Sequence, residues 1–344
     1  MDVAIEQTIR ERIAVEKART APLADAIAVP LIPATRYTNP DFFELEMQQI
    51  FHRNWLFAGH ESEWAEPGAY QLFTRSGAPI VIVRGQDNVL RAFYNSCRHR
   101  GAPVTRDVCG VAKRLTCQYH SWSYDTQGKL KAVPDSRSFV DLDTDELALV
   151  PVRCEVWQGW VFINEDAQAE PLIDFLGPIC EQMLDINGPG MRRVGRQIHR
   201  VDANWKLMVD AFLEVYHIRT VHPDNAALLY DDQSVTVSML PNGHSRLTTE
   251  KREELRDFPM VSDQYDNPSV GLLWRQTSTS FGIFPNLVVP MDTGAFTFLS
   301  MWPVDQRSTE LELNWFAPEW QGDEVPEEHL QRLELFDTVM AQDK

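Results

Sequence analysis

Two short motifs constrain this chain of 344 residues more than anything else in it: Cys97-Arg98-His99 and, seventeen residues on, Cys117-Gln118-Tyr119-His120. Each places a thiol and an imidazole on one loop, so the fold must bring two loop tips together. Two thiolates and two imidazoles hold either tetrahedral zinc or a [2Fe-2S] cluster with both cysteines on one iron and both histidines on the other. Zinc sites more often draw a C-x2-4-C pair from a single tip, whereas here each tip carries one cysteine. Ordinary core cysteines beside surface histidines are the plainest alternative, and four such residues in this order speak against it. Gly101 and Pro103 follow the first pair, as a sharply turned loop requires. Cys109, Cys154 and Cys180 have no histidine at ligand spacing and read as small buried or half-buried residues.

The flanking sequence predicts an all-β module. Between about 55 and 164, short apolar runs such as Ile80-Val81-Ile82-Val83 and Leu90-Arg91-Ala92-Phe93 are separated by turn-forming Gly85-Gln86-Asp87-Asn88 and Asp125-Thr126-Gln127-Gly128. Residues 2–17 have helical spacing, and Thr20-Ala21-Pro22 ends that helix. Asp41 is the expected cap of a helix to about 52. Beyond 171 the pattern mixes helices with strands, an α+β arrangement. It includes a helix from Asn204-Trp205-Lys206 through about 217 and a last helix from Pro326. The expected division is an N-terminal helix and arm at 1–40 packing on the second domain, the β module at 41–165, and the α+β domain at 166–344. Fifty acidic residues against 32 basic ones give a formal charge of −18. Such a chain repels phosphate backbones and anionic lipid, so neither nucleic acid nor membrane is an expected partner. No apolar run reaches bilayer length, and residues 1–7 lack the apolar core of a signal peptide. Five cysteines, an odd number, read as reduced thiols of a cytoplasmic protein.

A second constellation is Glu214-Val215-Tyr216-His217 followed by His222-Pro223. Glu214 and His217 are three apart and share a helical face, and Asp210, seven before His217, lies on the same stripe. His217 and His222 are five apart, about 140° around a continuous helix, too far for one metal. The helix must therefore break before Pro223. Two histidines with one carboxylate would form a facial triad with open positions, suited to Fe(II) and O₂. In the last helix Leu330, Leu333, Phe336, Val339 and Met340 form an apolar stripe, with Asp343 within it and Asp337 near its edge. A carboxylate on such a face is costly unless paired or metal-bound. In the second half, Phe212, Tyr230, Trp274, Phe281, Phe284, Phe296, Phe298 and Trp302 are the candidates for a substrate-pocket wall.

The fragments Cys97-Arg98-His99-Arg100-Gly101 and Cys117-Gln118-Tyr119-His120-Ser121-Trp122 resemble the Rieske domain of ring-hydroxylating, Rieske non-heme iron oxygenases. Asn204-Trp205-Lys206 and Glu214, His217 and His222 match that family's second motif in order and spacing. The resemblance implies a [2Fe-2S] cluster on Cys97, His99, Cys117 and His120. It also implies a mononuclear iron on His217, His222 and Asp343, in a catalytic domain of the helix-grip, START-like kind. The family's terminal helix usually runs further than Lys344. Electrons would come from NAD(P)H through a separate reductase, with or without a ferredoxin, since no Gly-x-Gly-x-x-Gly fingerprint occurs here. The resemblance gives Glu214 the role of bridging the iron site to the cluster of a neighbouring subunit in a homotrimer. A β subunit is the alternative assembly, and Asp210 is the alternative support for His217. The expected reaction is hydroxylation or oxidative demethylation of a small organic, aromatic substrate with O₂. Glu rather than Asp at 214 resembles the branch acting on carnitine-like and betaine-like amines and keeps that substrate class open. A Rieske electron carrier is the non-oxygenase alternative.

Overall fold

The β-branched runs between 55 and 164 form strands, because branched side chains pack well on a pleated surface. The computed structural model describes residues 2–23, 26, 28–256, 266–291 and 296–342. The chain divides into two units, residues 46–172 and residues 1–45 with 173–344. The first unit holds β1 (Leu56–His60), β2 (Ala69–Phe73), β3 (Ile80–Arg84), β4 (Leu90–Tyr94), β5 (Cys109–Val111), β6 (Arg114–Thr116), β7 (Ser123–Asp125), β8 (Leu130–Ala132), β9 (Pro151–Trp157) and β10 (Trp160–Asn164). They make a seven-stranded sheet in the order β1-β10-β9-β4-β3-β2-β5 and a three-stranded sheet β6-β7-β8. Cys97, Cys117, Trp122 and Tyr124 belong to one buried cluster with Val81, Val83 and Phe93. The cysteines thus sit at the rim of a packed apolar core.

The second unit is built on a seven-stranded antiparallel sheet. Its strands are β11 (Met191–Val201), β12 (Thr236–Met239), β13 (Ser245–Glu250), β14 (Thr277–Ile283), β15 (Leu287–Met291), β16 (Phe296–Asp305) and β17 (Ser308–Pro318), in the order β11-β17-β16-β15-β14-β13-β12. The helix Trp205–Asp210 packs on one face through Met208, against Val288, Leu299 and Leu313. The last helix, Glu327–Gln342, crosses β11 where that strand bulges at Arg193/Gly195. A Cβ on Gly195 would stand 3.1 Å from Leu333 Cδ2, so glycine lets the helix approach closely. His199 Nε2 on β11 meets Asp337 Oδ1 at 3.0 Å, a second tie on the same helix.

The Asn204-Trp205-Lys206 motif works as a structural knot. Asn204 Oδ1 caps its helix by accepting Lys206 N–H at 3.0 Å. Its amide donates to Tyr37 O at 3.1 Å and to Gln306 O at 2.9 Å, tying the N-terminal arm and the β16–β17 turn together. The Lys206 ammonium lies 5.2 Å over Tyr37, 5.7 Å over Phe42 and 5.3 Å over Trp205, which stabilises the arm by cation–π attraction. The N-terminal helix Val3–Ala18 packs on the same unit, with Lys17 paired to Asp231 and Glu250.

Two expected helices differ. Asn39, not Asp41, caps the helix at 40–46, since Asn39 Oδ1 accepts Phe42 N–H at 3.0 Å. The helix from Trp205 stops at Asp210 instead of running to 217. Phe212 N–H reaches back to Val209 O and Leu213 N–H to Asp210 O, the i−3 tightening that closes a helix. Replacing Asn204 by Ala removes a cap and two buried donors, and is expected to cost about 2 kcal/mol or more. Thermal unfolding of the second unit should show the loss, with Asn204→Asp intermediate because it keeps the cap alone.

Candidate metal centres

The two Cys-His loops are built to one plan. Gly101 N–H donates to Cys97 O at 2.8 Å, and Cys97 N–H to Ala102 O at 2.8 Å. Ser121 N–H donates to Cys117 O at 2.8 Å, and Cys117 N–H to Trp122 O at 2.9 Å. Each loop turns through a left-handed residue, φ +72° at Gly101 and φ +57° at Ser121. The first loop is also pinned at its exit by buried Asn95. It accepts N–H groups of Val104 (2.9 Å) and Thr105 (3.0 Å) and donates to Thr105 O (2.9 Å).

This geometry turns both thiols inward, 3% and 1% exposed, into the same buried cluster. Burial pushes the Cys97 thiol up. Tyr124 OH accepts Arg98 N–H at 3.0 Å and lies 3.3 Å from Cys97 Sγ, so that toward a thiolate, which has no hydrogen, the hydroxyl would donate to the sulfur. The imidazoles stand outside the thiols, half-buried, with His99 Nδ1 and His120 Nδ1 3.0 Å apart. His99 stacks on Trp122 (4.8 Å, 7°) and Tyr119 leans on His120 at 4.1 Å, which fixes both rings. The donors therefore come as two pairs, thiols within and imidazoles without. Among the described residues no group of three or more His, Cys, Asp or Glu surrounds one point. Paired donors fit a [2Fe-2S] cluster, which takes two thiols on one iron and two imidazoles on the other, better than a single zinc ion. Cys109 is exposed rather than buried, while Cys154 and Cys180 are half-buried.

The second constellation lies in the other unit. His217 ends the irregular stretch after Asp210, and a single helical turn, Ile218–Val221, separates it from His222. That turn stops before Pro223, and His222 leaves it at φ −121°, ψ 48°. The break brings the rings to 5.4 Å between centroids at 74°. Each ring is held through Nδ1. His217 Nδ1 bonds to the Glu214 carboxylate, which also accepts His217 N–H. His222 Nδ1–H donates to Gln342 Oε1 at 2.8 Å, and Asn225 donates to the same oxygen at 3.0 Å. In both rings Nε2 is then the nitrogen that would ligate a metal. Asp343 lies outside the described residues. Asp337, the other carboxylate considered, is engaged with His199 on β11. Asp210 ends its helix, where desolvation pushes its carboxyl up against the opposing pull of Lys206. Glu214, not Asp210, holds His217.

A cavity of about 370 Å³ adjoins both histidines. Its sheet wall is a cross-strand row, Leu247 opposite Ser280 and Ser280 opposite Pro290, with Thr249 opposite Ser278 beyond it. Of the eight aromatics expected in the wall, Phe212 and Tyr230 line it. The other six do not, and Trp315, which the sequence reading missed, does. The reason is the period of a strand. On β14 the half-buried Ser278 and Ser280 face the cavity, so Phe281 points to the opposite side, edge-on to Trp274. Phe298 and Phe316 likewise pack edge-to-face with one another, at 5.6 Å.

Comparison with known proteins agrees with both halves of this arrangement. A Rieske [2Fe-2S] domain model matches residues 54–152, and the model of the ring-hydroxylating alpha subunit catalytic domain matches residues 190–344. The carnitine monooxygenase oxygenase subunit of Acinetobacter baumannii is 31% identical over 283 residues, 80% of this chain and 73% of that protein. Its Escherichia coli counterpart is 37% identical over 194 residues, 56% of this chain, and the chain spans about half of its length (52%). The benzene 1,2-dioxygenase subunit alpha of Pseudomonas putida is 37% identical over 190 residues, 54% of this chain and 42% of that protein. The crystal structure of the quaternary ammonium Rieske monooxygenase CntA with L-carnitine superposes with a TM-score of 0.75 at 26% identity, covering 90% of this chain and 80% of that one. The two units are thus a Rieske domain and a catalytic domain of the ring-hydroxylating alpha subunit kind. The chain belongs to the Rieske ring-hydroxylating oxygenase family, whose cofactors are a [2Fe-2S] cluster and a non-heme iron.

Tyr124→Phe tests the cluster environment. Losing the hydroxyl next to Cys97 Sγ should lower the reduction potential by a few tens of millivolts, because hydrogen bonds to ligand sulfur favour the reduced cluster. Potentiometric titration of the visible spectrum reads this, and an unchanged potential counts against the Tyr124–Cys97 bond.

Proposed function

We propose that the chain is the terminal oxygenase of a multicomponent Rieske system. It takes electrons from NAD(P)H through a separate reductase, with or without a ferredoxin, and uses O₂ to hydroxylate or oxidatively demethylate a small organic substrate. The observation that carries this reading is the pair His217 and His222, each clamped through Nδ1 beside a substrate-sized cavity. A pure electron carrier has no use for such a site. Cys97, Cys117, His99 and His120 would hold the cluster. His217 and His222 would hold the iron, with Asp343 as the third ligand. Bound iron supplies the activation of O₂. The chain's own residues orient and exclude. Glu214 and Gln342 fix the two rings, while Phe212, Val215, Ile218 and Leu229 keep bulk water from the cavity.

The favoured substrate is a methylated or quaternary amine. Phe212, Tyr230 and Trp315 line the cavity, and aromatic faces attract such cations. Glu214 and the likeness to carnitine monooxygenase subunits point the same way. The same three rings also suit an aromatic substrate, the second reading, which the likeness to a benzene dioxygenase subunit favours.

Glu214 further supports a homotrimer as the working assembly, with a β subunit as the alternative. It lines the cavity on one side and, on the other, a hollow of about 600 Å³ bordered by Lys17, Arg19 and the exposed Tyr216. Its carboxylate is thus reachable from outside the chain, where a neighbour's His99 or His120 could donate to it. A closed three-fold ring presents two different surfaces of each subunit, as this requires.

Substrate-dependent O₂ uptake with a surrogate reductase tests the reaction over a panel of methylated amines and aromatic acids. Uptake with a methylated amine is the expected result, and NAD(P)H oxidation that no substrate stimulates would overturn it. Glu214→Gln should keep the cluster and the trimer but slow substrate-triggered cluster oxidation in a single turnover by at least tenfold. A variant that re-oxidises at the normal rate removes Glu214 from the electron path.

A further inference from the structure

The N-terminal helix Val3–Ala18 meets the sheet of the second unit at two arginines that share one neutral acceptor. Arg12, exposed on that helix, donates from Nη1 to Ser238 Oγ at 2.9 Å. Arg246 on β13 is the cross-strand partner of Ser238. It donates from Nη2 to the same oxygen at 3.0 Å and from Nη1 to Gln182 Oε1 at 2.6 Å. Two nitrogens that reach one oxygen at these distances lie no more than about 6 Å apart. Two guanidinium charges are therefore held together against their repulsion.

No carboxylate answers them. Among the described residues, these three hydrogen bonds are all that the two guanidiniums make. The nearby acids are committed elsewhere: Glu6 pairs with Arg10, Glu16 with Arg19, and Glu250 with Lys17 and Arg256. Glu11 accepts from Gln7. Arg246 is 5% exposed, and burial, reinforced by Arg12, pushes its guanidinium down to about 10. A chain with 50 acidic residues against 32 basic ones thus leaves a buried arginine facing another arginine. A buried charge without a counter-charge is costly.

The group consists almost wholly of donors. A guanidinium carries five N–H groups, of which Arg12 uses one and Arg246 two. Ser238 Oγ accepts from both arginines, and its own hydrogen finds no acceptor among the described residues. Arg246 Nε is sealed and takes no part, so the open side of the group is that of the exposed Arg12. Convergent donors carrying two positive charges suit an oxyanion, which offers several acceptor oxygens and offsets the charge.

We infer that Arg12, Arg246 and the Ser238 hydroxyl bind one small oxyanion, a sulfate, a phosphate or a free carboxylate, which staples the N-terminal helix to β12 and β13. The ion enters on the Arg12 side and bridges its guanidinium to Nη2 of Arg246. The site is separate from both metal centres and independent of the reaction proposed above. It sets the seat of the helix, whose Ile9 and Ile13 are buried and whose end carries Glu16, Lys17 and Arg19 to the border of the hollow beside Glu214. Without the ion, two like charges loosen that seat.

Calorimetric titration of the iron-loaded chain with sulfate, in dilute chloride buffer, tests the site. About one sulfate per chain should bind, with a dissociation constant on the order of 1 mM. Arg12→Gln should weaken it about tenfold or more, and Arg246→Met should abolish it. Hydrogen exchange of the amides of residues 3–18, read by mass spectrometry, should slow about threefold or more when sulfate binds the native chain, and in neither variant. Sulfate also stabilises proteins generally, by exclusion from their surface; the share belonging to the site is the part that saturates and that the variants lose. Arg12 is exposed, so its variant decides should Arg246→Met fail to fold. Acetate binding in place of sulfate, with the same dependence on Arg12, would uphold the site and assign it to a carboxylate. No saturable binding of either ion, or binding that Arg12→Gln leaves at full strength, would overturn the inference.

Discussion

An imidazole ligates metal through one nitrogen, and which one is decided by what holds the other. This chain uses the choice both ways. At the tips of the first unit, His99 and His120 turn their Nδ1 atoms toward each other at 3.0 Å, with ring positions set by Trp122 and Tyr119. In the second unit Nδ1 is the tethered atom in His217 and His222, taken by Glu214 and Gln342. The surrounding fold serves these orientations. Left-handed turns at Gly101 and Ser121 close the loops, and a single helical turn between the two histidines of the second unit brings their rings together.

The second unit spends its secondary structure on holding one helix in register. Gly195 lets Glu327–Gln342 approach β11, and His199 grips it at Asp337. Its far end then delivers Gln342 to His222 and Asn225. The same helix brings Arg332 to the cavity. A small shift of this element would therefore disturb the metal end and the cavity wall together.

Spacing made much of this legible in the sequence, because ligand sets leave residue types at fixed intervals. The Cys-His pairs, the break required between His217 and His222, and the α+β texture all follow from short-range rules of turn and helix geometry. Contacts across long sequence separations were not legible. Nothing in the chain marks Gln342 as the partner of His222, 120 residues away, because a glutamine carries no motif. The helix from Trp205 reads as continuous since residues 211–217 keep helical spacing, yet i−3 bonds close it at Asp210. Apolar content misled at the cavity wall. Phe281, Phe296 and Phe298 are core, while the small Ser278 and Ser280 face the cavity, and only strand register separates the two sets.

Two metal centres in one chain are the core of this account, and the amount of iron tests them directly. Protein reconstituted without oxygen, then freed of loose metal, should hold about three irons and two acid-labile sulfides per chain, two irons in the cluster and one on the His217–His222 site. Two irons with two sulfides would describe an electron carrier and contradict the second centre. A colourless protein holding zinc would contradict both.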